Sequence, residues 1–271
     1  MDLVYINLDR ATERRAFMEA QGERYGMALE RLPAVEASTI DAATTAGLGR
    51  SWERPLSPAE LGCFLSHRAL WRRVAGGSEP MLILEDDVVL SPRVPALLAT
   101  ARNLLSIDFL NLENFDRRRF VSRNERTIGG GLSILRLYRD KSGSAAYILW
   151  PAGARKLLAA AEHRAAPVDA FLHTLPGLVS FQVEPALAMQ VHILARRGLP
   201  TPIPVGTSIQ APRASLPISL TNLPFLGRRL LTQVKLAGDH LSRLFGVRYR
   251  LVDIIEADFA GEEGDVSHKR S

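Results

Sequence analysis

Pro80-Met81-Leu82-Ile83-Leu84-Glu85-Asp86-Asp87 decides the fold. A continuous apolar run of this length predicts a central β-strand covered on both faces, and it ends abruptly in three carboxylates. Upstream, Ser57-Pro58-Ala59-Glu60 is a capping box with proline at the first helical position. The helix it opens runs through Leu61–Trp71 to about Ala75, where Gly76-Gly77 stops it; it is apolar on more than one face and so predicted to be buried. Downstream, a helix near Val94–Leu105 and a strand over Ile107–Leu112 complete a β-α-β alternation. That alternation predicts an α/β fold with a mostly parallel sheet and helices on both faces.

The rest of the chain extends the pattern. Leu3–Leu8 reads as a first strand, followed by a helix from Thr12 to Gln21 with Thr12 as its cap. Leu29–Val35 is a second strand, and Ser38–Arg54 a polar, Gly-rich loop with one helical turn. Phe115–Gly131 carries Arg117-Arg118-Arg119, Arg123, Arg126 and three glycines, and is expected to be a mobile basic loop, either a lid, a patch for an acidic acceptor or a solvated surface. Leu132–Tyr138, Ser144–Trp150 and Leu178–Glu184 read as strands, and Pro151–His163 as a helix. Residues 1–197 form the expected catalytic domain. Residues 198–225 form a connector too rich in proline for regular structure. Residues 226–259 read as a basic amphipathic helical segment and 260–271 as a disordered tail.

Composition narrows the function classes. The 271 residues are 46% hydrophobic and 23% charged, which excludes a wholly disordered chain. A single cysteine, Cys63, excludes a disulfide framework and any multi-cysteine zinc or iron–sulfur site, and fits a reducing cytosol. No charge-free window reaches the roughly 18–20 apolar residues of a membrane span. The opening Met1-Asp2-Leu3-Val4 has no basic n-region, so no signal peptide is expected there. The net charge of +5 suggests an acidic partner.

Chemistry is expected at the acidic triplet, because open α/β sheets bind ligands beyond the carboxyl ends of their strands. Clustered carboxylates repel unless a cation sits among them, and oxygen donors suit Mg²⁺ or Mn²⁺ together with substrate phosphates. Strand alternation would put Glu85 and Asp87 on one side and turn Asp86 away. The alternative is a solvated strand end paired with an arginine.

These residues resemble a known family. Glu60-Leu61-Gly62-Cys63-Phe64-Leu65-Ser66-His67, then Trp71, then Leu82-Ile83-Leu84-Glu85-Asp86-Asp87-Val88 resemble the signature of glycosyltransferase family 25. That family includes bacterial lipopolysaccharide and lipooligosaccharide galactosyltransferases and the collagen galactosyltransferase domain. Val4–Arg10 with Arg14-Arg15, Ala34-Val35-Glu36, Ala146–Leu149 and Pro167-Val168-Asp169 extend the resemblance over about residues 1–190. It implies a GT-A-like, Rossmann-type mixed sheet, a UDP-sugar donor, most often UDP-galactose, and Mn²⁺.

On that resemblance Asp87 and Glu85 hold the metal. Asn7, Arg10, Arg14, Glu36, Glu85 and Asp86 line the donor, with Arg10 and Arg14 near its diphosphate at a helix start. Asp169 is the expected base for an inverting transfer, its alternative being a helix N-cap. Ser66 and His67 support the site, with His67 read as a hydrogen-bonded core residue; Cys63 is read as a small core hydrophobe.

From Arg213 to Arg250, seven basic residues stand against Asp239 and alternate with Leu230, Leu231, Val234, Leu241, Leu244 and Phe245. The segment suits either an anionic bilayer, where a lipid-linked glycan acceptor would sit, or packing on the domain. The expected setting is therefore cytoplasmic, peripheral on the inner face of the cytoplasmic membrane. Two rival readings remain: another metal-phosphate enzyme, and a non-catalytic binder of sugar nucleotides or membrane. Aromatic content of 7% without an aromatic–basic stripe argues against a nucleic-acid partner.

Overall fold

The computed structural model describes residues 1–139, 143–206, 222–241 and 246–260. In chain order its elements are β1 (Asp2–Asn7), α1 (Thr12–Arg24), β2 (Glu30–Pro33), α2 (Ala42–Gly47), α3 (Pro58–Gly76), β3 (Met81–Glu85), β4 (Val88–Leu90) and α4 (Val94–Ala101). Then come β5 (Phe109–Asn111), β6 (Arg119–Gly129), β7 (Leu132–Arg139), β8 (Ala146–Leu149), α5 (Pro151–Ala161), α6 (Val168–Thr174) and β9 (Ser180–Glu184). The chain finishes with β10 (Ala188–Gln190), α7 (Val191–Arg197), α8 (Leu223–Leu241) and β11 (Val247–Arg250).

One nine-stranded sheet runs in the order β11-β6-β7-β9-β5-β8-β3-β1-β2, and β4 pairs with β10 in a small second sheet. β2, β1 and β3 are mutually parallel, as are β5 and β9. β8 lies antiparallel between β3 and β5, so the mostly parallel sheet that alternation alone predicted is in fact mixed. The chain reaches β8 through the β6–β7 hairpin rather than a helical crossover, and a hairpin has no rule forcing a parallel return.

Strand alternation distributes two cores, one on each face. Val4, Ile6, Ile83, Phe109, Tyr147 and Leu149 pack against α3, α5 and α6. Tyr5, Leu82, Leu84, Leu110 and Ile148 pack against α1 and α4. The fold is therefore α/β, with a large mixed sheet flanked by helices. Each fully buried leucine or isoleucine here contributes roughly 1.5–3 kcal/mol, so the apolar run at β3 anchors both layers at once.

α3 begins as its sequence dictates. Ser57 Oγ accepts from the Glu60 amide at 3.2 Å, and the Glu60 carboxylate accepts from the Ser57 amide at 2.9 Å. α1 differs from expectation: Ala11 occupies its cap and Thr12 is the first helical residue, without a side-chain cap bond. The polar stretch after β2 is also more ordered than expected, holding α2 and two short 3₁₀ turns.

The basic segment 115–131 is the main correction. It forms the long strand β6 and a hairpin into β7. Gly129, Gly130 and Gly131 all have positive φ, which only glycine adopts in succession without strain. Arginines face water along most of β6, but Arg119 is buried, its guanidinium donating to Gln182. Arg126 and Arg136 stack over Phe181. Charge marked this run as a loop because a half-exposed, arginine-rich strand looks the same by composition.

The basic C-terminal segment divides likewise. It is helical through Leu241, whereas Val247–Arg250 is an edge strand pairing with Arg119–Ser122. Arg250 binds the Glu184 carboxylate on β9 and so belongs to the large sheet. Most of the proline-rich connector (207–221) and the expected tail (261–271) lie outside the described residues.

Candidate active site

The carboxyl ends of β1 and β3 converge, in register at Ile6–Glu85. Glu85 is the last residue of β3; Asp86 and Asp87 form the turn into β4. Regular strand geometry stops at Glu85, yet Glu85 is still the charge that weighs most on Asp87, ahead of Asp86. Asp86 and Asp87 also share Arg14, which lies 2.8 Å from Asp86 Oδ1 and 3.9 Å from Asp87 Oδ2. Asn7, buried at the end of β1, donates to Asp86 Oδ2 at 2.7 Å, and its own Oδ1 accepts from Arg31 Nε at 3.0 Å. Gln190, at the end of β10, donates to Asp87 Oδ1 at 3.1 Å. Arg14 also donates to the Gly206 carbonyl, tying the start of the C-terminal segment to the site.

Glu85 faces a different group. Its Oε1 accepts from Ser144 Oγ at 2.9 Å and stands 3.5 Å from His67 Nε2. Ser144 Oγ also makes a very short contact with Asp169 Oδ1. A hydroxyl has one proton, so Glu85 and Asp169 share a single donor. Asp169 lies in the first turn of α6, whose cap is Pro167, so the N-cap alternative is not realised. The hydroxyl bridge brings Asp169 and the acidic triplet into one site.

Beneath them lies Glu113, fully buried and accepting from the Ala145 amide at 2.7 Å. Burial and then the Glu85 and Asp169 charges push its carboxyl well above the usual range. Burial and Glu85 push Asp87 up to about 7. Burial also works to raise Glu85, but His67, Ser144 and Arg14 outweigh it and hold that carboxyl below its ordinary value. Burial pushes the Cys63 thiol up, and Glu85, Asp169, Asp87 and Asp86 push the same way.

The remaining expected residues fall around this centre. Arg10 and Glu36 form an ion pair with each other on the exposed rim, bridging the ends of β1 and β2. Ser66 Oγ donates to the Gly62 carbonyl and accepts from the Val35 amide, both at 2.8 Å, fixing the segment that carries Glu36. His67 Nδ1 meets the Tyr147 hydroxyl at 2.8 Å, consistent with a hydrogen-bonded core histidine. Ser144, Gln190, Arg31 and Glu113 were missed. A serine just ahead of a fully apolar strand was the only visible sign of Ser144, and nothing local marked the others.

A carboxylate-lined sheet end with a bridging hydroxyl and one arginine can take a cation among its oxygens and an anionic oxygen on its guanidinium. A family profile described as glycosyltransferase family 25 (LPS biosynthesis protein) matches residues 1–172, and the chain belongs to that family. It is 31% identical over 186 residues to a glycosyltransferase 25 family member of Anopheles gambiae, covering 62% of this chain and 30% of that protein. It is 35% identical over 161 residues to the human inactive glycosyltransferase 25 family member 3, covering 51% and 26%. The chain thus spans about a third or less of these relatives. Among solved structures, an inositol-1-phosphate CTP transferase from T. maritima superposes with a TM-score of 0.33 at 11% identity, covering 70% of this chain and 69% of that one. A likeness of that size carries no argument about the site.

Proposed function

We propose that the chain transfers a sugar from a UDP-sugar, most simply UDP-galactose, with inversion, onto a lipopolysaccharide, lipooligosaccharide or other cell-envelope glycan. The observation that carries this reading is the Ser144 bridge between Glu85 and Asp169, set beside Asp86, Asp87 and Arg14. A divalent cation fits these residues. Asp86 and Asp87 offer hard oxygen donors, and burial with excess negative charge already disfavours an ionised Asp87 without one. Asp86 and Asp87 would hold Mn²⁺ or Mg²⁺, and Glu85, turned toward Ser144 and His67, would contribute charge. When bound, such an ion neutralises charge developing on the departing diphosphate.

This chain's own residues account for the rest. Arg14 changes partner from carboxylate to phosphate as the donor enters. Asn7 and Gln190 hold Asp86 and Asp87 in place. The acceptor hydroxyl attacks the anomeric carbon as the bond to the diphosphate breaks, and its proton passes to the Asp169 carboxylate. Before attack, Ser144 turns its O–H donor to Glu85, keeping its proton, so that an Asp169 lone pair faces the acceptor hydroxyl.

Several relatives carry the word inactive in their names, so binding and turnover need separate tests. Turnover of a UDP-sugar panel with Mn²⁺ is the first. Asp169→Asn is expected to abolish transfer and leave UDP affinity within about twofold. Retained transfer would remove Asp169 as the base, and UDP binding without turnover in wild type would leave a sugar-nucleotide binder.

α8 supports a membrane-side acceptor. No helix among the described residues is long and apolar enough to cross a bilayer. α8 is pinned on one face: Phe225 is buried under Arg50 and Arg228, and Arg228 donates to the Trp52 carbonyl at 2.7 Å. Leu223, Leu230, Leu231 and Val234 lie over half exposed on the other face, with Arg229 also exposed. Apolar side chains beside exposed basic ones suit an anionic lipid surface. Leu230→Glu with Val234→Glu is expected to abolish flotation with anionic vesicles while transfer to a soluble acceptor is unchanged; unaltered flotation would refute the membrane role.

A further inference from the structure

We propose that Cys63, His67 and Glu85 form a zinc site separate from the Asp86–Asp87 position. Cys63 and His67 stand four residues apart on α3, hence on one face, and that face meets the end of β3. One ligand atom from each of the three residues lies within 4.8 Å of the others. A thiolate, an imidazole and a carboxylate form the mixed sulfur–nitrogen–oxygen set that Zn²⁺ takes, whereas Mg²⁺ and Mn²⁺ favour oxygen alone.

The second observation is the imidazole. His67 is fully buried, yet its Nε2 has no hydrogen-bond partner among the described residues and is directed at Glu85 Oε1, 3.5 Å away. A buried polar nitrogen left without a partner costs roughly 1–3 kcal/mol unless something occupies its lone pair. The other ring nitrogen is already committed. Nδ1 meets the Tyr147 hydroxyl at 2.8 Å, and that oxygen also accepts from Trp71 Nε1 at 3.0 Å. In the metal-binding tautomer Nδ1–H donates to that hydroxyl oxygen's second lone pair and Nε2 turns its own lone pair to the ion; without metal the hydroxyl donates to Nδ1 and Nε2–H points at Glu85. Metal-bound histidines are held in this way, with the far nitrogen donating to a fixed partner. The ring cannot swing away, because it stacks on Tyr147 at 5.8 Å and 17°.

Zn–S of about 2.3 Å and Zn–N of about 2.0–2.1 Å put tetrahedral ligand atoms roughly 3.5 Å apart. The His67–Glu85 separation of 3.5 Å already matches, and the other pairs, all within 4.8 Å, need to close by about an ångström at most. Three protein ligands leave a fourth position beside Ser144 Oγ, which lies 2.9 Å from Glu85 Oε1. On binding, the Cys63 S–H bond breaks, its proton goes to solvent, and the sulfur electron pair forms the S–Zn bond. The site clamps α3 to the end of β3 and fixes the Glu85–Ser144–Asp169 chain, so its members are positioning residues.

The test is Co²⁺ titration of chelator-treated full-length chain, followed by absorbance. Cys63 is the only cysteine, so a thiolate-to-cobalt charge-transfer band reports this site alone. The expected result is one equivalent of Co²⁺ giving that band with tetrahedral d–d absorption, both bleached by equimolar Zn²⁺ and neither by excess Mn²⁺. Cys63→Ala is expected to lose the band and to retain Mn²⁺-dependent UDP binding. Tyr147→Phe is expected to weaken the site about 10–100-fold. Cobalt binding without a charge-transfer band, or no cobalt binding, in wild type would overturn the proposal. Neither result bears on the transferase reading, which the UDP titration tests separately.

Discussion

Arg14 and Arg119 are both drawn into the middle of this protein, and they do opposite things there. Arg119 is 1% exposed, donates to Gln182 and lies close enough to Glu113 to lower that carboxyl's pKa against burial. Its surroundings are closed and its partners are fixed by the sheet. Arg14 keeps 21% of its side chain in solvent and faces Asp86 and Asp87 at the open end of β3. Its partners are the groups that a cation would take over, freeing it for phosphate. Arg119 is sealed in among fixed partners, whereas Arg14 stands at a boundary where its partner could be exchanged, as the proposed donor role requires.

Substitutions at the two positions separate these roles. Arg119→Met is expected to cost about 1–3 kcal/mol of stability, because it removes the donor to the buried Gln182 side-chain oxygen; urea denaturation measures it, and a loss below about 1 kcal/mol would break the contrast. Arg14→Met should barely move the urea midpoint yet weaken UDP binding by about 1.5–3 kcal/mol, the worth of a hydrogen bond to a charged group. Equal stability losses in the two variants would show that Arg14 is structural too.

Other substitutions test the frame that carries the site. Gly62 brings α3 against the segment after β2 so closely that a Cβ would lie 2.7 Å from the Val35 carbonyl oxygen. Gly62→Ala is expected to cost about 1–3 kcal/mol and to displace the Arg10–Glu36 rim. The smallest effect belongs to Glu60. Burial works to raise its carboxyl, but Arg54 and the Ser57 amide outweigh burial and hold it below the ordinary range. A depressed carboxyl adds stability above its unfolded pKa and loses it as pH falls through the folded one. Glu60→Gln should therefore cost about 1 kcal/mol at neutral pH, with the difference from wild type shrinking below about pH 4. A difference independent of pH would exclude the ion pair as its source.

The inner half of the sheet was legible because local rules agree there: an apolar run, a capping box, and an acidic end beyond the strand. The outer half was not, because β6 is held by neighbours distant in sequence. Arg119 needs Gln182 and Arg250 needs Glu184, and neither pairing leaves a local trace. Within the site, Asp87, Arg14 and Asp169 were visible from motif and resemblance. The partner of each carboxylate was not, since Arg14 and Asn7 reach Asp86, Gln190 reaches Asp87 and Ser144 reaches Glu85 from segments distant in sequence. Ser144, which joins Glu85 to Asp169, lies just ahead of β8, a strand inserted antiparallel, an arrangement that β-α-β reasoning does not produce.

The most direct test of the central claim is isothermal titration of UDP into the protein with and without Mn²⁺, on wild type and Asp87→Ala. The account predicts UDP binding that requires Mn²⁺ in wild type and is lost in the variant. UDP binding that ignores both the metal and the substitution, or no UDP binding at all, would contradict it.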